Sequence, residues 1–312
     1  MKFFRLDMSS TPDSTPATGY SLAITSSFFA ACATVTGKWS LQSISALMLS
    51  ALIFSIASIL MGILYLPFNH NLAKFKTIPR KGWIYLSAFS VSSLVAIWFF
   101  WAGVKQIDPS LAAFINRIEV LIAILLGIFF LKERLTKQET FGALLSILGI
   151  IIMRLSLRAE YSQGFWLVLA GSFFFGMTEF FSKKTVKYVP PIIAVYLRNL
   201  FMSIVYWIIL TAGEVSFAGL DKVWIGVLAL GIFGPILSRM VYMMALARLE
   251  LTKVAVISQT SPIFVIIISF SLLGQLPTFR EIIGGLLLTS GCLIMVFYRQ
   301  VSQNKNSLPG RK

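Results

Sequence analysis

Ten long apolar stretches, separated by short connectors, constrain this chain more than any other feature. They run Gly19–Gly37, Ile44–Leu66, Trp83–Val104, Ser110–Leu131, Thr140–Leu157, Gly164–Ser182, Pro191–Ala212, Val223–Ala247, Thr252–Gly274 and Phe279–Tyr298. About 20 mainly apolar residues in a helix cross the hydrocarbon layer of a bilayer. Lipid offers the backbone no hydrogen bonds, so each crossing segment satisfies its own N–H and C=O groups as a helix. The longest connector, Pro67–Gly82, leaves no room for an extramembrane domain. Only 12% of the residues are charged, against about 25% in a soluble domain. The predicted fold class is an all-α membrane protein of ten transmembrane helices.

The net charge of +15, from 27 Lys and Arg against 12 Asp and Glu, could signal either nucleic acid or membrane topology. The positions of the basic residues decide between them. With the N-terminus in the cytoplasm, eighteen fall on the cytoplasmic side and five on the other. Every internal loop then follows the positive-inside bias. The expectation is a multi-pass protein of the inner membrane with both termini cytoplasmic and no nucleic-acid partner. Its expected partners are a small-molecule substrate and the lipid bilayer, as a monomer or homodimer. The tail before the first span lacks the pattern of a removable signal peptide. The four remaining basic residues, Arg117, Arg154, Arg198 and Arg239, lie inside spans.

Several chemistries find no support. Cys32 and Cys292 sit far apart in apolar runs with no CxxC pair, and His70 is the sole histidine. HExxH, GxxxxGK[ST] and GxGxxG motifs are absent from the sequence. No metal, cofactor or catalytic residue is expected, and the chain reads as a non-enzyme.

The two halves repeat. Thr136, Glu139, Gly142 and Gly149 return 142 positions later as Thr278, Glu281, Gly284 and Gly291. Each Thr-x-x-Glu predicts a capping box at the start of the last helix of its half. Gly19, Leu22 and Ser27-Phe28-Phe29 return 145 positions later as Gly164, Leu167 and Ser172-Phe173-Phe174, and Lys38 returns as Lys183. Five spans per half is an odd number, so the halves are predicted to be inverted repeats. That architecture places a substrate site between the repeats and alternates access to it. The expected units are a cytoplasmic tail (1–18), a first five-helix repeat (19–158), a second (159–299) and a C-terminal tail (300–312).

Charged and polar groups within spans face a cavity or a partner. In the fourth span Asn116, Glu119, Ala123 and Gly127 share one helical stripe. Arg117 is two residues from Glu119, roughly 200° around a continuous helix. Glu119 is therefore expected to face the cavity or an ion pair, and Arg117 a neighbouring helix. In the ninth span Pro262 frees the carbonyl of Ser258, beside the polar groups of Ser258, Gln259 and Ser261. Arg198 and Asn199 in the seventh span reach the depth of Glu179 in the sixth. An Arg198–Glu179 ion pair is expected there, as an inner gate or a permanent tether. Glu179 could instead pair with Lys183. Arg239 could bind an anionic group or snorkel. Trp101 and Tyr242 are candidates for stacking on a ligand, and Arg154 is expected at the interface. Proton coupling would use Glu119 or Glu179. The four glycines of the repeated last spans are expected to pack helices closely.

The run Phe130-Leu131-Lys132-Glu133-Arg134-Leu135-Thr136, the Gly-containing span after it, and the matching run before Gly284 resemble the EamA family of the drug/metabolite transporter superfamily. The resemblance spans Gly19 to Arg299. The second half departs from it with Gln275 where the family has Glu, and keeps the mid-span Pro262 that Val120 replaces in the first half. It implies a ten-helix carrier, often an exporter of amino acids or related compounds. Relatives imply alternatives: uptake or exchange of S-adenosylmethionine, or of nucleotide-linked or phosphorylated metabolites. Outside transport, the rival readings are a multi-span membrane enzyme and a non-transporting scaffold.

Overall fold

A computed structural model describes residues 16–64, 77–131, 136–156, 159–213 and 216–307. Its helices are α1 (Pro16–Ser40), α2 (Ala46–Leu64), α3 (Arg80–Val104), α4 (Pro109–Asn116), α5 (Ile118–Leu131) and α6 (Lys137–Ser156). There follow α7 (Ser162–Thr185), α8 (Pro191–Thr211), α9 (Leu220–Gly231), α10 (Arg239–Arg248), α11 (Leu251–Ser258), α12 (Ser261–Leu273) and α13 (Phe279–Ser307). They make ten helical spans long and apolar enough to cross a membrane. No strand occurs among the described residues. The protein is an all-helical, multi-pass membrane protein. The tail before Pro16, the charged turn at 132–135 and the basic residues at 74 and 76 lie outside the described residues.

Three spans are not simple helices. The fourth breaks at Arg117, between α4 and α5, and the ninth at Gln259 and Thr260, between α11 and α12. Arg117 and Gln259 are 142 positions apart. Pro262 sits in the first turn of α12, where its missing N–H would have no helical partner anyway. In the eighth span a π-helical segment, Ile232–Ser238, links α9 to α10 around Pro235. The last helix, α13, continues past the tenth span to Ser307.

Packing pairs the spans of one half with those of the other. The second packs on the seventh, the fifth on the tenth, the third and fourth on the sixth, and the eighth and ninth on the first. At the crossing of α6 and α13 a Cβ on Gly142 would lie 2.6 Å from the Gly291 carbonyl oxygen, and one on Gly284 would lie 2.7 Å from that of Gly149. Backbones this close exclude any side chain, so glycine is required by approach rather than by φ. Both capping boxes form. Thr136 N donates to Glu139 Oε2 at 2.7 Å and Glu139 N to Thr136 Oγ1 at 3.2 Å; the Thr278–Glu281 pair repeats this at 2.7 and 3.4 Å.

Two lysines cap helices across the bundle. Lys38 Nζ, at the end of the first span, donates to the carbonyls of Val104, Lys105 and Ile107 at 2.8–3.1 Å, closing the C-terminus of the third. Lys183 Nζ, near the end of the sixth, donates to Leu246 and Leu249 at 2.6 and 2.7 Å, closing the C-terminus of the eighth. Lys183 therefore caps a helix and does not pair with Glu179. The outward surface is apolar, with Ile63, Leu144, Leu155, Ile208, Ile267 and Phe279 exposed. The charges of the spans turn inward.

Candidate functional site

The helix breaks aim their polar groups into one interior cavity of about 170 Å³. Its wall holds Arg117, Glu119, Glu179, Arg198 and Arg239, with Ser26, Ser27 and Thr34 from α1 and aromatic faces from Phe54, Phe100, Trp101, Phe175 and Tyr242. A second cavity, of about 350 Å³, shares Glu119, Glu179, Tyr242 and Ser258 with the first. It continues past Ala123 and Gly127 to Lys183, Lys184, Lys187 and Glu250. The stripe Asn116, Glu119, Ala123, Gly127 thus runs from one cavity into the other. The shared residues form the constriction between them.

Two ion pairs set the electrostatics. Arg117 Nη2 lies 3.1 Å from Glu119 Oε1. This corrects the expectation that the two residues diverge. That angle assumed an unbroken helix, and the break falls at Arg117 itself. The expected contact of Arg117 with a neighbouring helix also forms: Nη1 donates to the freed Ser258 carbonyl at 2.6 Å. One guanidinium therefore joins the broken fourth and ninth spans. Asn116 Nδ2 donates to Glu119 Oε2 at 3.1 Å, while its Oδ1 accepts from Ser172 Oγ.

The second pair corrects another expectation. Glu179 does not pair with Arg198; its Oε1 accepts from Arg239 Nη1 at 2.9 Å. The π-helical segment around Pro235 rotates the start of α10 and turns Arg239 into the cavity, where no span-depth argument placed it. The Arg239 guanidinium also covers the Tyr242 ring at 5.3 Å. Arg198, only 2% exposed, makes neutral contacts instead. Its Nε donates to Ser93 Oγ at 2.9 Å and its Nη1 to Asn199 Oδ1 at 3.0 Å. The faces of Phe54 and Phe89 each lie 5.4 Å from it.

The remaining candidates divide. Ser258, Ser261, Trp101 and Tyr242 line the central cavity. Asn199 stands behind the wall and ties Arg198 to the π segment by donating to the Pro235 carbonyl at 3.1 Å. Gln259 is buried at the break of the ninth span and lines neither cavity. Arg154 reaches Ser162 Oγ at 2.7 Å, next to the connector between the halves and away from the cavity. Sequence reasoning missed Ser26 and Ser238, which exchange hydrogen bonds with each other's carbonyls, and Ser93 behind Arg198. Serines recur throughout the spans, and nothing in the sequence marks these three.

A charged cavity lined by eight of ten helical spans, two of them broken at matching positions, is the build of a membrane carrier. The profile of the EamA-like transporter family matches residues 17–155 and 162–297, and the chain belongs to that family. A Synechocystis protein named an uncharacterized transporter is 21% identical over 75% of this chain and 72% of its own length. A Salmonella typhimurium protein named "Probable amino-acid metabolite efflux pump" is 26% identical over 64% of this chain and 71% of its own. An uncharacterized transporter of Archaeoglobus fulgidus is 24% identical over 88% of this chain and 97% of its own. A solved crystal structure, 17% identical, shares the fold with a TM-score of 0.64 over 91% of this chain and 99% of that one.

Proposed function

We propose that the chain exports a small polar metabolite, an amino acid or a related compound, across the inner membrane by alternating access. Both termini lie in the cytoplasm, as the distribution of basic residues suggests. The observation that carries the reading is the symmetry of contacts around the charged cavity. The most extensive inter-span pairings have counterparts under exchange of the halves: the third and fourth spans pack on the sixth as the eighth and ninth pack on the first. Gly142 meets Gly291 as Gly149 meets Gly284. Lys38 caps the third span as Lys183 caps the eighth. The two broken spans face each other through Arg117 and Ser258. Such pairing is what two inverted five-helix repeats require, and it supports two half-bundles that rock about the cavity.

In this reading the Glu179–Arg239 pair and the Lys183 cap hold the sixth and eighth spans together on the cytoplasmic side. The Lys38 cap holds the first and third together on the opposite side. Export rests on the likeness to the Salmonella protein named as an efflux pump. Purified protein in liposomes tests the proposal. Preloaded amino acids should leave protein-containing vesicles faster than empty ones, and Glu119→Gln should slow that efflux while the protein still inserts. Equal efflux from both vesicle types across an amino-acid panel would refute transport of this class. A pH gradient separates coupled from uncoupled movement: a rate indifferent to the gradient removes Glu119 and Glu179 as proton carriers.

A further inference from the structure

The ion pairs leave one charge over. Three arginines and two glutamates face the central cavity. Arg117 is matched by Glu119 and Arg239 by Glu179. Arg198 is held by a hydroxyl, an amide oxygen and two ring faces, none of which carries a negative charge. A cation this far from water is costly, and among the described residues no carboxylate offsets it within salt-bridge reach.

A second observation has the same sense. Buried side-chain atoms without a hydrogen-bond partner include two in the wall of this cavity, Trp101 Nε1 and Arg117 Nε. Both are donors. The six-membered ring of Trp101 packs against Gly37, and its buried Nε1 has no hydrogen-bond partner. Orphaned donors around a surplus guanidinium call for an occupant rich in acceptor oxygens. The approach through the second cavity is lined by Lys183, Lys184 and Lys187 against Glu250, a positive mouth that concentrates anions.

Resting on the carrier reading above, we propose that the central cavity takes a solute with a net charge of minus one, whose carboxylate or phosphate oxygens sit at Arg198. A zwitterion leaves the cavity with its surplus positive charge, whereas a monoanion removes it. At about 30 Å³ per water, the cavity of about 170 Å³ limits the occupant to the space of about six waters.

Isosteric acid and amide pairs test this on purified full-length protein. Thermal stabilisation is titrated at neutral pH with aspartate against asparagine, glutamate against glutamine, and lactate against lactamide. O-Phosphoethanolamine, whose ammonium brings the phosphate monoester to a net charge of minus one at neutral pH, serves as the phosphate arm. An acid should half-saturate at a concentration about ten- to a hundredfold below its amide. The advantage should vanish in Arg198→Gln and return in part in Arg198→Lys. The wild-type comparison alone decides the matter if the variants do not fold. Stabilisation by O-phosphoethanolamine and by none of the carboxylates assigns the anion as a phosphate. Amides that bind as well as acids overturn the proposal and leave the carrier reading standing, as does an acid preference that Arg198→Gln preserves. No stabilisation by any probe overturns it too. Ala30→Trp fills the cavity, so stabilisation that survives it refutes the cavity itself as the substrate site.

Discussion

Glu179 and Arg239 allow the sharpest test of the site, because two partners compete for one carboxylate. The pair is almost wholly removed from water, with side chains 9% and 15% exposed, and its N–O distance is 2.9 Å. Removing either partner strands a buried charge, at a cost of about 3–5 kcal/mol. Removing both strands nothing, and replacing a buried pair by neutral groups is often close to neutral. Glu179→Gln and Arg239→Met should therefore each destabilise strongly, while the double variant loses less than either single one. The coupling energy should be about 3 kcal/mol or more. Arg198 lies in the same cavity wall but shares no hydrogen-bond partner with Glu179, so a Glu179–Arg198 cycle should close to within about 1 kcal/mol.

The assay is the unfolding equilibrium in mixed micelles, followed by tryptophan fluorescence, for the four members of each cycle. The pair also fastens the sixth span to the eighth at the constriction between the two cavities. Arg239→Met should then make a cysteine placed at Ala30 more reactive toward a water-soluble thiol reagent added from the Lys184 side. Strong coupling between Glu179 and Arg198, with additive losses for Glu179 and Arg239, would refute the assignment of partners.

Other perturbations follow from the same contacts. Lys38→Met and Lys183→Met each remove a helix cap on a different face; in cysteine-accessibility assays the first should open the cavity to the outer side and the second to the cytoplasmic side, and identical profiles would refute the symmetric roles. Gly149→Ala should destabilise by about 1–3 kcal/mol through overpacking at the crossing of α6 and α13, because a Cβ there meets the backbone of Leu288 at 2.6 Å. Gly127→Ala meets nothing within 4 Å and should gain up to about 1 kcal/mol in helix propensity; equal losses at both glycines in micelle unfolding would refute the close-approach argument. Arg154→Ala should leave efflux unchanged in liposomes while Arg198→Gln reduces it.

The spans were legible because bilayer thickness sets their length, and each lies within a few residues of its expected bounds. The capping boxes were legible because their chemistry is local, involving residues three apart. The site was harder to read. Placing Arg117 and Glu119 on opposite faces assumes an unbroken helix, whereas Arg198 and Glu179 sit in regular helices on one cavity wall and fail to pair because Arg239, just after the π-helical segment, takes the Glu179 carboxylate. The chain departs from regularity at Arg117, at Gln259 and around Pro235. Those are the points at which the polar groups converge. Pro262 gave a warning of one break, because it frees the Ser258 carbonyl, and the acceptor it creates is the one Arg117 takes. The break at Arg117 has no proline to announce it; only its place 142 residues before Gln259 connects the two. A helix interrupted in one half should therefore be sought at the matching position of the other, even where no residue marks it. In a chain built by repetition, a proline in one copy is evidence about both. Pro262→Ala tests how far that holds. Restoring the amide at 262 should let the ninth span reclaim the Ser258 carbonyl and release Arg117 Nη1. The Arg117–Glu119 contact, made through Nη2, should survive. If Pro262→Ala leaves transport unchanged, the bridge between the broken spans is not part of the moving machinery.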